Sequence, residues 1–148
     1  MGCSFSFESA MTNVSIPVRH IDYNHNLPMY ITDLDYVPTG NFHGKMVVSM
    51  RPVPYNKVPI AVQATSRFPS VHGTPIHTGD PSRIGIKDID KPDFLDPSRI
   101  KNGEAPVFWA CGVTPQSIAM TSKPGPMITH SPGHMFICDP KDEDLAVL

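Results

Sequence analysis

The chain has 148 residues, a formal net charge of -2 and 18% charged residues. That length suits about one domain, the charge leaves no basic footprint for nucleic acid or an anionic membrane, and a hydrophobic share of 40% is too high for a disordered chain. Proline is the outlier: 17 residues, with no stretch longer than 16 lacking one, which excludes coiled coils, helical bundles and membrane-spanning helices.

The expected picture is therefore short strands and helices joined by proline-stiffened loops. Three cysteines, Cys3, Cys111 and Cys138, with no Cys-x-x-Cys pair, form neither a disulfide framework nor a zinc ribbon. They suit a reducing compartment.

The start, Met1-Gly2-Cys3-Ser4-Phe5-Ser6, matches the N-myristoylation pattern, with Cys3 as a second acylation site. The weightier expectation is a strand-to-turn segment over Gly2–Ser6, followed by a short helix from Glu8 to Val14. Asn13-Val14-Ser15 is a formal glycosylation sequon without other signs of secretion. Pro17–Ile21 reads as a strand, Asn24–Asn26 as a turn, Met29–Thr32 as a strand and Thr39–Asn41 as a turn. Lys45–Arg51 is the best strand of the first half, stopped by Pro52-x-Pro54. Val58–Phe68 reads as a helix with Pro59 in its first turn and a core stripe of Val58, Ala61, Val62 and Thr65.

Residues 69–106 read mainly as loop, with Ile84–Ile86 a very short strand. Val107–Cys111 is a strand buried on both faces, and Gly112 turns it. Thr114 N-caps a helix running through Thr121, with Pro115 at its first position. Met127–His130 and Met135–Cys138 read as two more strands, so strand–helix–strand order predicts a parallel or mixed sheet in the last third. The acidic-then-apolar tail 141–148 reads as a frayed terminus.

Histidines cluster in two loops. His72 and His77 lie with Asp80 in a glycine-rich run, and His130 and His134 flank Pro132-Gly133, which forbids a helical pair. Loop histidines can converge on a metal or serve as acid and base, or else bond to backbone at turns. Cys111, before a helix N-terminus, suits either a reactive thiol or a small core residue. Arg51 and Arg67 offer planar forks for a carboxylate, or plain salt bridges. Cys138 and Trp109 read as packing.

Seven runs give the sequence a resemblance. They are Gly2–Glu8, Val48–Pro52, Thr65–Pro69, His72-Gly73-x-Pro75-Ile76-His77-x-Gly79-Asp80-Pro81, Pro92–Phe94, Pro106–Gln116 and Ile128–Phe136. In order and spacing they resemble the hydro-lyase family associated with D-glutamate cyclase, across residues 2–139.

The resemblance implies an α/β (α+β mixed) fold of two small subdomains with mixed β-sheets and short covering helices. Residues 1–148 would be the C-terminal portion of such a domain, with subdomains 17–69 and 70–139 and residues 1–16 packed on the latter. Family members carry a further N-terminal portion, so the acylation motif is expected to be an accident of where the chain starts. Leu95 stands where the family tends to have glycine after Pro-Asp-Phe.

The resemblance also implies conversion of D-glutamate to 5-oxo-D-proline with loss of water. The protein would be mitochondrial in animals or cytoplasmic in bacteria. It would need no cofactor, nucleic acid or membrane; its partner would be a small amino-acid substrate, with a homo-oligomer also open. Ring closure needs an acid and a base, a carboxylate clamp and an oxyanion cradle. By residue type, His72, His77, His130 and His134 are the candidate acid and base, with Asp80 orienting one of them. Arg51 or Arg67 is the clamp. Cys111, Gly112, Thr114 and Gln116 form the cradle, and Cys3 and Ser4 are further substrate contacts. A covalent Cys111 thioester is a less economical route. Two rivals stand beside this reading: a metal-dependent hydrolase or lyase using the clustered histidines, and a non-catalytic homologue that binds a small acid.

Overall fold

The computed structural model describes residues 3–147, so the Gly2 acylation motif lies outside the described residues. The chain folds as a mixed α/β structure. Four helices, α1 (Glu8–Asn13), α2 (Arg19–Tyr23), α3 (Val58–Ser66) and α4 (Thr114–Ser122), accompany a four-stranded sheet of β1 (Met29–Asp35), β2 (Lys45–Pro54), β3 (Pro75–Thr78) and β4 (Glu104–Ala110). Strand order is β1-β2-β4-β3. Every pairing is antiparallel, which corrects the parallel or mixed sheet expected in the last third.

β2 is the centre, and alternation along it builds two cores. Val53, with Val107 and Trp109 of β4, faces α1 and α3 and packs against Phe7, Met11, Ala61 and Phe68. Val48 and Met50 face the other way, joining Tyr30 and Phe108 under Ile84 and Ile86. A smaller cluster of Met29, Val47, Cys111 and Val113 closes one end of the sheet. A central strand covered on both faces reads as a nearly continuous apolar run, and Val47–Val53 does so except at Ser49 and Arg51.

The expected proline stop in β2 does not occur. Pro52 lies directly opposite Pro106. Pro106 turns its carbonyl away from β2, toward Gly79 N at 2.9 Å. Two residues without N–H groups therefore meet where the ladder between β2 and β4 asks for none. Pro75 opens β3, an edge strand, where proline is also tolerated.

Other expectations are corrected. Pro17–Ile21 is not a strand, because residues from Arg19 wind into α2, which ends at Asn24 in the left-handed region (φ 52). The 72–80 run is not all loop, since it contains β3. Ile84–Ile86 is no strand: Pro81–Ile84 is a 3-10 turn, and Gly85 has φ 80 with an added Cβ meeting Asp33 at 2.8 Å. Thr114 is the first helical residue rather than the cap. Its hydroxyl accepts from Val47 N at 3.1 Å and so fastens α4 to β2. Met127–His130 and Met135–Cys138 form no strands.

The tail is docked rather than frayed. Asp142–Leu145 makes a 3-10 turn, Leu145 and Ala146 pack on the first core, and Val147 N donates to Arg67 O at 2.7 Å.

Candidate active site

The most buried polar cluster lies between α1 and the sheet. Arg51 is 1% exposed, and its guanidinium sits 5.0 Å from the Phe7 ring centre and 5.4 Å from that of Trp109. An unpaired charge there would cost several kcal/mol, on the order of 3–5. Glu8 supplies the counter-charge: its Oε1 accepts from Arg51 Nε at 2.8 Å and also from Nη2. Nη1 donates to Ser49 Oγ at 3.2 Å, and Nη2 also reaches the Ser4 carbonyl at 3.2 Å. Ser4 and Ser49 hydroxyls lie 3.3 Å apart.

Glu8 has a second oxygen, and it holds a histidine. His20 Nε2 is 3.2 Å from Glu8 Oε2, with both side chains more than nine-tenths buried. Phe5 packs edge-on against the ring at 5.7 Å. Burial by itself would raise the Glu8 carboxyl. The Arg51 charge and the hydrogen bonds from His20 and Arg51 outweigh it and hold the group below the usual carboxylate range. An ionised carboxylate thus fixes one imidazole nitrogen and leaves Nδ1 for other work, as in carboxylate–histidine pairs that transfer protons.

His20 also lines a cleft of about 280 Å³, together with Arg19, Tyr23, His25, Asn26, Pro97, Ser98, Arg99 and Lys101. This wall has three permanent cations and no carboxylate. Glu104 braces it from behind, pairing with Arg19 and accepting from Lys101 N at 2.8 Å. Asp96 accepts from Asn26 N at 3.0 Å. Arg19 Nε is buried and has no hydrogen-bond partner among the described residues. Lys101 Nζ stands 5.9 Å from the Tyr23 ring centre. Hydrogen bonding to Lys101 and Arg19 holds the Tyr23 phenol below its ordinary value.

The residues singled out by sequence are scattered by comparison. Arg51 and Ser4 belong to the buried cluster, and Cys3 lies beside it, partly buried. Arg51 is buried and held by Glu8, Ser4 and Ser49, which corrects its expected role as a free carboxylate clamp. Arg67 is exposed and anchors the tail through Val147. Cys111 is buried, with its thiol 3.6 Å from Met29 Sδ, and burial pushes it up to about 11. Of the two readings open for Cys111, this favours the small core residue over the activated thiol.

Thr114 is spent on Val47. Gly112 turns the chain into α4. Gln116 donates to Thr129 Oγ1 at 3.3 Å and to the His130 carbonyl, and both Gln116 and His130 line a separate, mostly apolar cavity of about 570 Å³. His72, with φ 65, ends the 3-10 turn Pro69–Val71. His77 stacks on Phe108 at 5.9 Å, and its Nε2 bonds the Asp80 carbonyl at 2.8 Å. The Asp80 carboxylate goes instead to Ser82 N and Oγ, so it orients no histidine. His134 Nδ1 bonds the Pro132 carbonyl at 3.2 Å. Of the four loop histidines, His130 lines the apolar cavity; the others line neither it nor the cationic cleft. Among the described residues no three His, Cys, Asp or Glu side chains stand together as a metal-ligand set.

Sequence reading missed Glu8, His20, Arg19, Arg99 and Lys101. Glu8 was available as the end of the first family-like run. His20 was hidden by reading its segment as a strand.

The family model described as D-glutamate cyclase matches residues 1–139. A Psychrobacter arcticus protein named "Putative hydro-lyase" is 77% identical over 148 residues, covering 100% of this chain and 56% of that protein. "Putative hydro-lyase GK2103" of Geobacillus kaustophilus is 65% identical over 148 residues, covering 100% of this chain and 56% of that protein. "Putative hydro-lyase YcsI" of Bacillus subtilis is 62% identical over 148 residues, covering 100% and 58%. The chain thus spans a little over half the length of the curated relatives it matches. With most of its length covered by the family model and close bacterial relatives along all of it, the chain belongs to the D-glutamate cyclase family.

Proposed function

We propose that the chain carries proton-transfer machinery of a lyase that closes D-glutamate to 5-oxo-D-proline with loss of water. The observation behind this reading is the His20–Glu8 pair, whose histidine lines a cation-bearing cleft. In the reaction the neutral α-amine attacks the side-chain carboxyl carbon, forming the C–N bond of the ring. His20 Nδ1 takes the proton that the amine sheds and returns it to the departing oxygen, and a second proton drawn from solvent, replacing the one given up when the ammonium became the neutral amine, lets that oxygen leave as water. Glu8 stabilises the imidazolium formed between the two steps. Arg19, Arg99 and Lys101 neutralise the carboxylates and stabilise the tetrahedral oxyanion. The family supports the lyase class, and the bacterial relatives support a cytoplasmic setting for it.

The test is formation of 5-oxo-D-proline from D-glutamate by this chain, followed by NMR, with His20→Gln beside it. The reading expects turnover that falls about 10²–10⁴-fold in the variant. Full turnover in His20→Gln overturns it. Binding of D-glutamate without turnover in the unaltered chain leaves a small-acid binder, and a thermal shift of the kind that ligation by mass action produces would register that binding.

A further inference from the structure

The cleft has a property that cyclisation chemistry would use. Among the described residues its lining carries Arg19, Arg99 and Lys101 but no carboxylate, and the carboxylates that bond to lining residues are committed, Glu104 to Arg19, Asp96 to Asn26 and Glu8 to His20 and Arg51. A bound dicarboxylic amino acid finds cationic donors for both of its carboxylates there, in Arg99 and Lys101. Its ammonium finds no counter-ion.

We propose that this cleft is an amine-activating site: it selects dicarboxylic acids by their two negative charges and holds the α-amino group of D-glutamate in its neutral, nucleophilic form. The inference rests on the proposal that D-glutamate occupies the His20 cleft, and it adds how the nucleophile is made. Opposite charges favour ionisation and like charges oppose it. In solution the two carboxylates stabilise the ammonium. Once they are neutralised by Arg99 and Lys101, with Arg19 already paired to Glu104, the ammonium is left without a counter-ion in the lining. It loses one proton to bulk solvent on binding, and the nitrogen lone pair becomes available. No redox partner or metal enters the balance. The other titratable groups facing the ligand are His20, His25 and Tyr23; Glu8 lies behind His20 and is neutralised by Arg51.

Affinity measured by calorimetry as a function of pH tests this, with D-glutamate and its amine-free analogue glutarate as probes. From pH 7 to pH 8 the Kd for D-glutamate should tighten up to about tenfold, one proton being released. The Kd for glutarate should stay flat and be the lower of the two at pH 7. Arg99→Gln and Lys101→Gln, made separately at exposed positions, should weaken both probes while leaving the melting temperature near that of the unaltered chain. D-glutamate binding that is independent of pH overturns amine activation and leaves the proton-transfer reading intact. If neither probe binds, or if both variants bind as the unaltered chain does, the cleft is not the anion site and the inference falls with it.

Discussion

Arg51 and Glu8 meet in the core through two hydrogen bonds, one of them 2.8 Å from Nε to Oε1. The pair ties α1 to the middle of β2, and its partners are buried on every side. Removing one member strands the other. Glu8→Ala is expected to cost about 3–5 kcal/mol in urea unfolding, and Arg51→Ala about the same. The double variant Glu8→Leu, Arg51→Met should recover much of that loss, since an apolar pair of similar volume does not bury a charge. The pH dependence has a definite sign. The folded carboxyl lies below its ordinary 4.5, so its contribution is complete above that value and is lost as pH falls through the folded value. Glu8→Gln should remove that part of the acid-side decline; an unchanged acid profile in Glu8→Gln would show that Glu8 is not the group responsible.

The same carboxylate separates two classes of histidine. His20 is held by Glu8 in the cleft, whereas His77 sits on an edge strand and bonds a backbone carbonyl. In the D-glutamate assay His20→Gln should lose about 10²–10⁴-fold in rate. His77→Ala and Asp80→Ala should stay within about threefold of the unaltered chain, a shift of under about 1 kcal/mol in barrier. A large loss in His77→Ala together with full rate in His20→Gln would reverse the assignment and restore the loop histidines.

The sequence made the buried strands legible because their signal is local. β-branched and aromatic residues run without interruption through Val47–Val48 and Val107–Trp109, and both segments are strands buried on two faces. The helix at Val58 was legible for the same reason, from Pro59 near its start and Ala61 and Thr65 buried four residues apart. Met127–His130 and Met135–Cys138 carry a similar composition yet form no strand. β-propensity reports fit to a pleated, half-buried surface, not a backbone preference. Within the described residues Ile128 is 99% exposed and Phe136 91%, with no strand beside them. The site was less legible because its links are long-range. Glu8 reaches across 43 positions to Arg51 and 12 to His20, and no spacing rule connects them. Histidine density points to the loops instead, where the His77 and His134 rings bond nearby carbonyls.

Leu95 is a non-glycine residue in a backbone region that favours glycine. Its backbone is left-handed, with φ 65. A side chain in that region costs roughly 1–2 kcal/mol. Leu95 also packs, half-buried, against the cluster of Met29, Val47, Cys111 and Val113, and faces Gly133. Leu95→Gly removes both strain and packing, and Leu95→Ala removes only the packing. The glycine variant should therefore be the more stable of the two by about 1 kcal/mol in denaturant unfolding. An alanine variant as stable as the glycine variant would show that the backbone at this position is not left-handed in solution.

The three thiols should separate cleanly by reactivity. Cys138 is exposed, Cys3 is partly buried, and Cys111 is buried. Burial raises the Cys3 thiol, and it pushes Cys111 up to about 11. Thiolate is the reacting form, so at pH 8 only about one part in a thousand of Cys111 would be reactive even if reagent could reach it. With a chromogenic disulfide reagent, one thiol should react promptly, a second more slowly, and the third only on unfolding in urea. Cys111→Ala should accordingly leave D-glutamate turnover within a few-fold while costing some core stability, since it empties space beside Met29. Prompt labelling of Cys111 in the folded protein, or abolition of turnover in a Cys111→Ala variant that still unfolds cooperatively, would bring back the covalent route through that thiol.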